Sequence, residues 1–158
     1  MEKYSVNEVI EQAVQTERLG YQFYSVMAER FKKDHNLRQL FETLGEKELA
    51  HEKRFLKIKE AKGLTEPEGW EEASQYLRAI VQSEFFLGKF KSLPELEKVI
   101  SVESAVNFAI GFEKDTMLYF YAMRELMEER DVLDGIINEE KSHLLWLGAL
   151  REELLHRK

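Results

Sequence analysis

Two stretches of the chain carry side chains that could bind a metal: Glu48-Leu49-Ala50-His51 and Glu140-Lys141-Ser142-His143. Each reads Glu-x-x-His. On a helix that spacing puts a carboxylate and an imidazole on one face, one turn apart. Carboxylate oxygen with imidazole nitrogen suits iron or manganese, and zinc also accepts it. A single copy of so short a pattern carries little weight, because Glu and His are common on helix surfaces. Two copies carry more, and the helices that must present them decide the matter.

Apolar spacing makes those helices legible. A first bundle helix is expected over about 5–32, opened by Ser5 and Glu8 at capping-box spacing. Its seam runs Val6, Ile10, Ala13, Glu17, Gly20, Tyr24, Met27, Phe31, the a/d rhythm of a bundle helix, and Glu17 interrupts it. Lys33–Asn36 reads as a turn. The second helix, about 37–62, carries Leu37, Phe41, Leu44, Glu48, His51, Phe55 and Ile58 and runs to a stop near Gly63. The third, about 101–128, carries Val102, Val106, Ala109, Glu113, Thr116, Phe120, Met123 and Met127. After a turn at Glu129–Asp131, the fourth, about 131–156, carries Leu133, Ile136, Glu140, His143, Leu147, Leu150 and Leu154.

Residues 63–100 form a crossover between the second and third helices. Thr65–Gly69 reads as a loop, and Ala73, Tyr76, Leu77, Ile80 and Val81 as a shorter amphipathic helix. Ser92-Leu93-Pro94-Glu95 has the capping box and first-turn Pro of another helix start. Phe85, Phe86 and Phe90 either cap the bundle or make a dimer interface.

The plan repeats. Ile10, Ala13, Glu17 and Met27 match Val106, Ala109, Glu113 and Met123 at an offset of 96, and Glu48 and His51 match Glu140 and His143 at an offset of 92. The chain is therefore two similar antiparallel hairpins. In each, the two acids lie at nearly equal distances from the turn, roughly 15 residues or about 22 Å along the helix. Packing the hairpins seam to seam brings Glu17, Glu48, His51, Glu113, Glu140 and His143 to one buried level.

Four carboxylates at one buried level repel each other, and each costs several kcal/mol if left unpaired. Nothing basic lies in the seams at this height. Two divalent cations would balance the charge, about 3.5–4 Å apart and bridged by carboxylates. By position Glu48 and Glu140 are the bridges, Glu17 and Glu113 are terminal, and His51 and His143 each complete one metal. The count leaves coordination positions open for O2 or peroxide.

Composition narrows the setting. The 158 residues suit one domain, here 1–158, and 44% hydrophobic content is enough for a core. The net charge of -7 argues against nucleic acid and anionic membranes as partners. With no cysteine there is no disulfide, zinc-thiolate site, Cys-held iron-sulfur cluster or thiol catalysis. No apolar run reaches the length of a membrane span, and Met1-Glu2-Lys3-Tyr4 leads into no signal-peptide core, so a cytoplasmic protein is expected.

These residues resemble the ferritin-like di-iron carboxylate superfamily and, within it, the rubrerythrin-like proteins. There, two helices each give a Glu and two give a Glu-x-x-His. The matching positions are Glu17 and Glu113, then Glu48/His51 and Glu140/His143. The local text also fits, with Ala13-Val14-Gln15-Thr16-Glu17 in the first helix and Ala109-Ile110-Gly111-Phe112-Glu113-Lys114-Asp115 in the third. The resemblance implies an all-α, ferritin-like four-helix bundle with one long crossover, holding two iron ions. It differs from rubrerythrins proper in two ways. Ile110 and Thr116 stand where an extra helical glutamate would lie, and the four cysteines of a rubredoxin domain are absent.

The resemblance implies an oxidoreductase that reduces hydrogen peroxide or O2 with electrons from an external electron-transfer protein. Fe(II) oxidation and storage, as in ferritins, and a structural metal such as zinc are the competing readings. A homodimer or higher homo-oligomer is expected. Tyr24, two turns beyond Glu17 on the same face, is a candidate for hydrogen-bonding a metal ligand. Gly20 and Gly45 are expected to face each other near the metal level, giving close helix approach or room for a small ligand. His35 and His156 are expected in solvent, and Trp70 and Trp146 as packing residues.

Overall fold

The computed structural model describes residues 4–61, 65–81 and 96–157. Among them are five α-helices and no strand: α1 (Val6–Arg30), α2 (His35–Glu60), α3 (Trp70–Val81), α4 (Val102–Leu126) and α5 (Arg130–His156). The four long helices are the expected bundle helices, α1 and α2 forming one hairpin and α4 and α5 the other.

Local chemistry starts the helices where it does. Ser5 accepts the backbone N–H of Glu8 while the Glu8 carboxylate takes the N–H of Ser5, the anticipated capping box. Ser101 and Ser104 do the same for α4, with a serine in the place usually held by Glu. The first turn is tighter than Lys33–Asn36. Asp34 accepts the N–H groups of Asn36 and Leu37, so α2 begins at His35 rather than at 37. At its other end α2 stops at Glu60, capped by an extended Ala61, and the stop expected at Gly63 lies outside the described residues. The short crossover helix begins at Trp70, just after Gly69, whose φ of 78° lies in the region that favours glycine. The helix start at Ser92–Glu95 and the aromatic trio Phe85, Phe86 and Phe90 also lie outside the described residues.

Two apolar layers hold the hairpins together. One joins the start of α1, the end of α2, the end of α4 and the start of α5, through Val9, Ile10, Phe55, Phe120, Met123 and Ile136, with Leu77 of α3 packed on it. The other joins the opposite ends, through Phe23, Met27, Phe41, Leu44, Val106 and Leu147. Each fully buried residue of this size contributes about 1.5–3 kcal/mol of transfer free energy. Tyr119 adds a hydrogen bond between hairpins, its hydroxyl donating to the carbonyl of Val9 at 2.9 Å. The crossover returns to the far end of the bundle, where Arg30 donates to the carbonyl of Leu96 beside a 3₁₀ turn at Leu96–Lys98. No described helix is long and apolar enough to cross a membrane.

Candidate metal centre

Between the two apolar layers lies one polar layer. Glu17, Glu48, His51, Glu113 and Glu140 are fully buried there, and His143 is 1% exposed. Helix periodicity places them: each sits at a seam position of α1, α2, α4 or α5, so it points inward with the apolar residues above and below it. All six residues singled out from spacing are thus in one layer.

The six form two groups whose donor atoms lie within 4.8 Å of one another: Glu17, Glu48, His51 and Glu140, and Glu48, Glu113, Glu140 and His143. Glu48 and Glu140 belong to both, the position expected of bridges. Each imidazole turns Nδ1 toward the carboxylates. His51 Nδ1 is 2.9 Å from Glu140 and 3.6 Å from Glu17. His143 Nδ1 is 3.1 Å from Glu140, 3.5 Å from Glu113 and 3.6 Å from Glu48.

The layer is poorly satisfied by its own hydrogen bonds. Both oxygens of Glu17 and of Glu48, one each of Glu113 and Glu140, and Nδ1 of His51 are buried without a hydrogen-bond partner. Such atoms are costly in a protein interior. Hard carboxylate oxygens plus one imidazole nitrogen per group are the donor set of a divalent first-row metal. Two dications would satisfy these atoms and cancel four negative charges, so the residues fit a metal pair.

Without metal, protons carry part of that role. Burial pushes the Glu48 carboxyl up, reinforced by Glu140, and pushes Glu113 well above the usual carboxylate range for the same reasons. Glu140 is held below that range: burial opposes its charge, but its contacts with Glu113, His143 and His51 outweigh it. Burial also works against a charged imidazole, yet the surrounding carboxylates win, raising His51 and pushing His143 up to about 12.

The second ring of residues shows what sequence spacing could and could not find. Tyr24 is fully buried and its hydroxyl donates to Glu113 at 2.6 Å, reaching across from α1 to α4. This is the role considered for it from spacing. Glu139 was not anticipated. It lies 2.6 Å from Nε2 of His51 and also receives Arg54 at 3.3 Å. The available signal was an acid adjacent to a ligand acid, which by itself reads as a solvated helix face. Thr116, noted as a seam residue standing where an extra glutamate would lie, is buried and its hydroxyl has no partner, whereas buried Thr16 donates to the carbonyl of Gln12.

Both glycines allow the close helix approach expected of them, but the expectation that they face each other is corrected. A Cβ at Gly20 would meet the Phe112 ring at 3.0 Å and the Glu48 carboxyl carbon at 3.3 Å, and one at Gly45 would meet Tyr24 and Tyr21. Each glycine therefore accommodates side chains rather than the other glycine. The averaging of positions gives the height along the bundle but not the rotation of each helix. Room for a small ligand at Gly20 is not present, because Phe112 fills it. Trp70 packs as expected, donating its indole N–H to the carbonyl of Tyr4. Trp146 is 40% exposed and leans on the His143 ring, with centroids 5.6 Å apart. His35 and His156 lie in solvent.

No curated protein matches the chain in sequence. A solved structure from Thermotoga maritima, described as a ferritin-like diiron-carboxylate protein, superposes with a TM-score of 0.72 at 20% identity, covering 97% of this chain and 98% of that one. That likeness shows a shared fold. The rubrerythrin family model matches residues 8–151, which span every residue of the buried polar layer. With that match over residues 8–151, and with two fused carboxylate–imidazole clusters that fit a metal pair, the chain belongs to the rubrerythrin family.

Proposed function

We propose that Glu17, Glu48, His51, Glu113, Glu140 and His143 hold two iron ions, and that the centre reduces hydrogen peroxide or O2 with electrons from a separate protein. The observation that carries this reading is the pair of buried four-residue clusters sharing Glu48 and Glu140. Iron supplies the redox change: two electrons and two protons convert H2O2 to two molecules of water, and the donor restores both electrons.

The protein supplies position and dryness. Glu48 and Glu140 span the two metal positions. Glu17 and His51 complete one, and Glu113 and His143 the other. Tyr24 orients Glu113 through its hydroxyl. The apolar layers above and below keep bulk water from the site. In this reading a separate electron-transfer protein supplies the electrons, none of these 158 residues being a cysteine that could hold a rubredoxin-type iron.

Metal analysis of the native protein, followed by anaerobic Fe(II) loading and stopped-flow mixing with peroxide or with O2, tests the reading. About two irons per chain and faster oxidation by peroxide than by O2 are expected. Faster oxidation by O2 with uptake far beyond two irons would replace it with iron oxidation and storage. Tightly held zinc with no redox response would leave a structural metal.

A further inference from the structure

The internal repeat makes the ligands of the two metal positions equivalent. Offsets of 96 and 92 carry Glu17 to Glu113, Glu48 to Glu140 and His51 to His143. The same operation applied to the surrounding residues finds no equivalence. Glu139 maps to Lys47, Arg54 to Trp146, and Tyr24 to Phe120.

Each mismatch falls on the ligands themselves. At the first position His51 presents Nδ1 to the carboxylates, and its Nε2–H donates to Glu139 at 2.6 Å. Glu139 is held in place by Arg54. At the second position His143 also presents Nδ1, but its Nε2 is buried with no partner. A lysine occupies the position equivalent to Glu139 and could not accept that proton, and the ring of Trp146 lies against the imidazole instead. The terminal carboxylates differ as well. Glu113 accepts the Tyr24 hydroxyl at 2.6 Å, while both oxygens of Glu17 are without a hydrogen bond.

The difference at the imidazoles sets the direction. An imidazole that donates its outer N–H to a carboxylate becomes a more basic ligand through its inner nitrogen. A phenol O–H on a carboxylate fixes that ligand's orientation without making it more basic. The His51 position therefore has the more basic imidazole, and the imidazole of the His143 position has no such support.

We infer that the two metal positions are inequivalent by construction: the Glu17/His51 position binds first and more tightly, the Glu113/His143 position is the exchangeable one, and Glu139 is the positioning residue that sets the difference. This rests on the di-metal reading above. Glu139 touches no metal. It acts through His51.

The test is titration of the metal-free full-length protein with Co(II), followed by calorimetry and by the visible absorption of the bound ion. Wild type should show two resolved steps. Glu139→Gln removes the charge while keeping a similar shape at a partly exposed position. It should weaken the first step by about 10–100-fold, the usual effect of losing such a partner, leave the second unchanged, and merge the two. Lys47→Glu places a carboxylate at the repeat position equivalent to Glu139 and should tighten the second step.

Unresolved steps in wild type, with two ions bound, would overturn the inference and leave the di-metal reading standing. Equal weakening of both steps in Glu139→Gln would overturn it in favour of a general structural role. Binding of fewer than two ions would remove the di-metal reading, and the inference with it.

Discussion

At the scale of single residues, the buried layer is defined by what lies next to each charge. The Tyr24 hydroxyl meets Glu113 in a water-free setting where burial holds the metal-free carboxyl toward its neutral form, and a hydrogen bond between neutral groups contributes roughly 0.5–1.5 kcal/mol. Tyr24→Phe keeps the ring packed against Phe23 and Phe41 and removes only that bond. Urea unfolding of the metal-free variant should show a loss of about that size, with an unchanged slope. No loss would mean that the phenol only fills space.

The ionisable residues give a signed pH dependence. His51 and His143 have raised pKa values in the folded, metal-free protein, His143 at about 12. A group raised on folding contributes stability that is fully present below its unfolded pKa, near 6.5 for His, and is lost as pH climbs through the folded value. Glu48 and Glu113, also raised, lose their contributions in the same direction, beginning above the unfolded carboxylate value. Glu140 is lowered, so its contribution is present above the unfolded carboxylate value and is lost only in acid. The metal-free protein should therefore become less stable between pH 7 and pH 10, as read from melting temperature across buffers. Metals compete with these same protons, so binding should release protons and tighten as pH rises. Calorimetry in buffers of different ionisation enthalpy measures that release.

Helix α1 crosses α2 and α4 at the polar layer, and two glycines show how closely. Ala at Gly45 meets Tyr24 at 3.5 Å, an ordinary contact, and gains helix propensity. Gly45→Ala should stabilise the protein by about 0.5–1 kcal/mol. At Gly20 the same change drives a methyl to 3.0 Å from the buried Phe112 ring and 3.3 Å from Glu48. Overpacking costs typically 1–3 kcal/mol, which outweighs the propensity gain. Gly20→Ala should be destabilising and should also weaken metal binding by shifting Glu48. Thermal melts and metal titration of the two variants separate these cases; matching signs would show that Phe112 yields freely.

The same comparison shows how far pattern reading goes at the level of elements. The four long helices, the capping box of α1 and the short crossover helix were legible because each rests on local chemistry: apolar spacing, a Ser with Glu8 three residues on, an Asp or Gly at a boundary. The facing of Gly20 and Gly45 was not. Height along a hairpin follows from counting residues to the turn, but rotation about the helix axis depends on how large side chains such as Phe112 settle between helices.

For the whole molecule, the arrangement is a polar layer between two apolar ones. The apolar layers already join α1, α2, α4 and α5, so metal is expected to reinforce the fold without creating it. At free metal about 100 times Kd, each site adds roughly 2.7 kcal/mol, which for a domain of this size raises Tm by about 5–10 °C. A chelator should reverse that shift while leaving the helical circular dichroism intact. Unfolding on chelation would contradict the layered account and indicate a structural metal.

The sequence by itself determined which ionisable side chains enter the buried layer. Glu17, Glu48, His51, Glu113, Glu140 and His143 stand out because an ionisable side chain in an apolar seam violates a strong rule, and an internal repeat shows the violation twice. Tertiary structure alone decided what surrounds them. Glu139 reaches His51 across 88 positions of chain, and Tyr24 reaches Glu113 across 89. Spacing put Tyr24 on the face of Glu17 but could not name Glu113 as its partner, and Glu139, an acid on a partly exposed face, leaves no periodic trace. Periodicity reports which face of a helix is buried; only packing selects the atom on another helix that each buried group will meet.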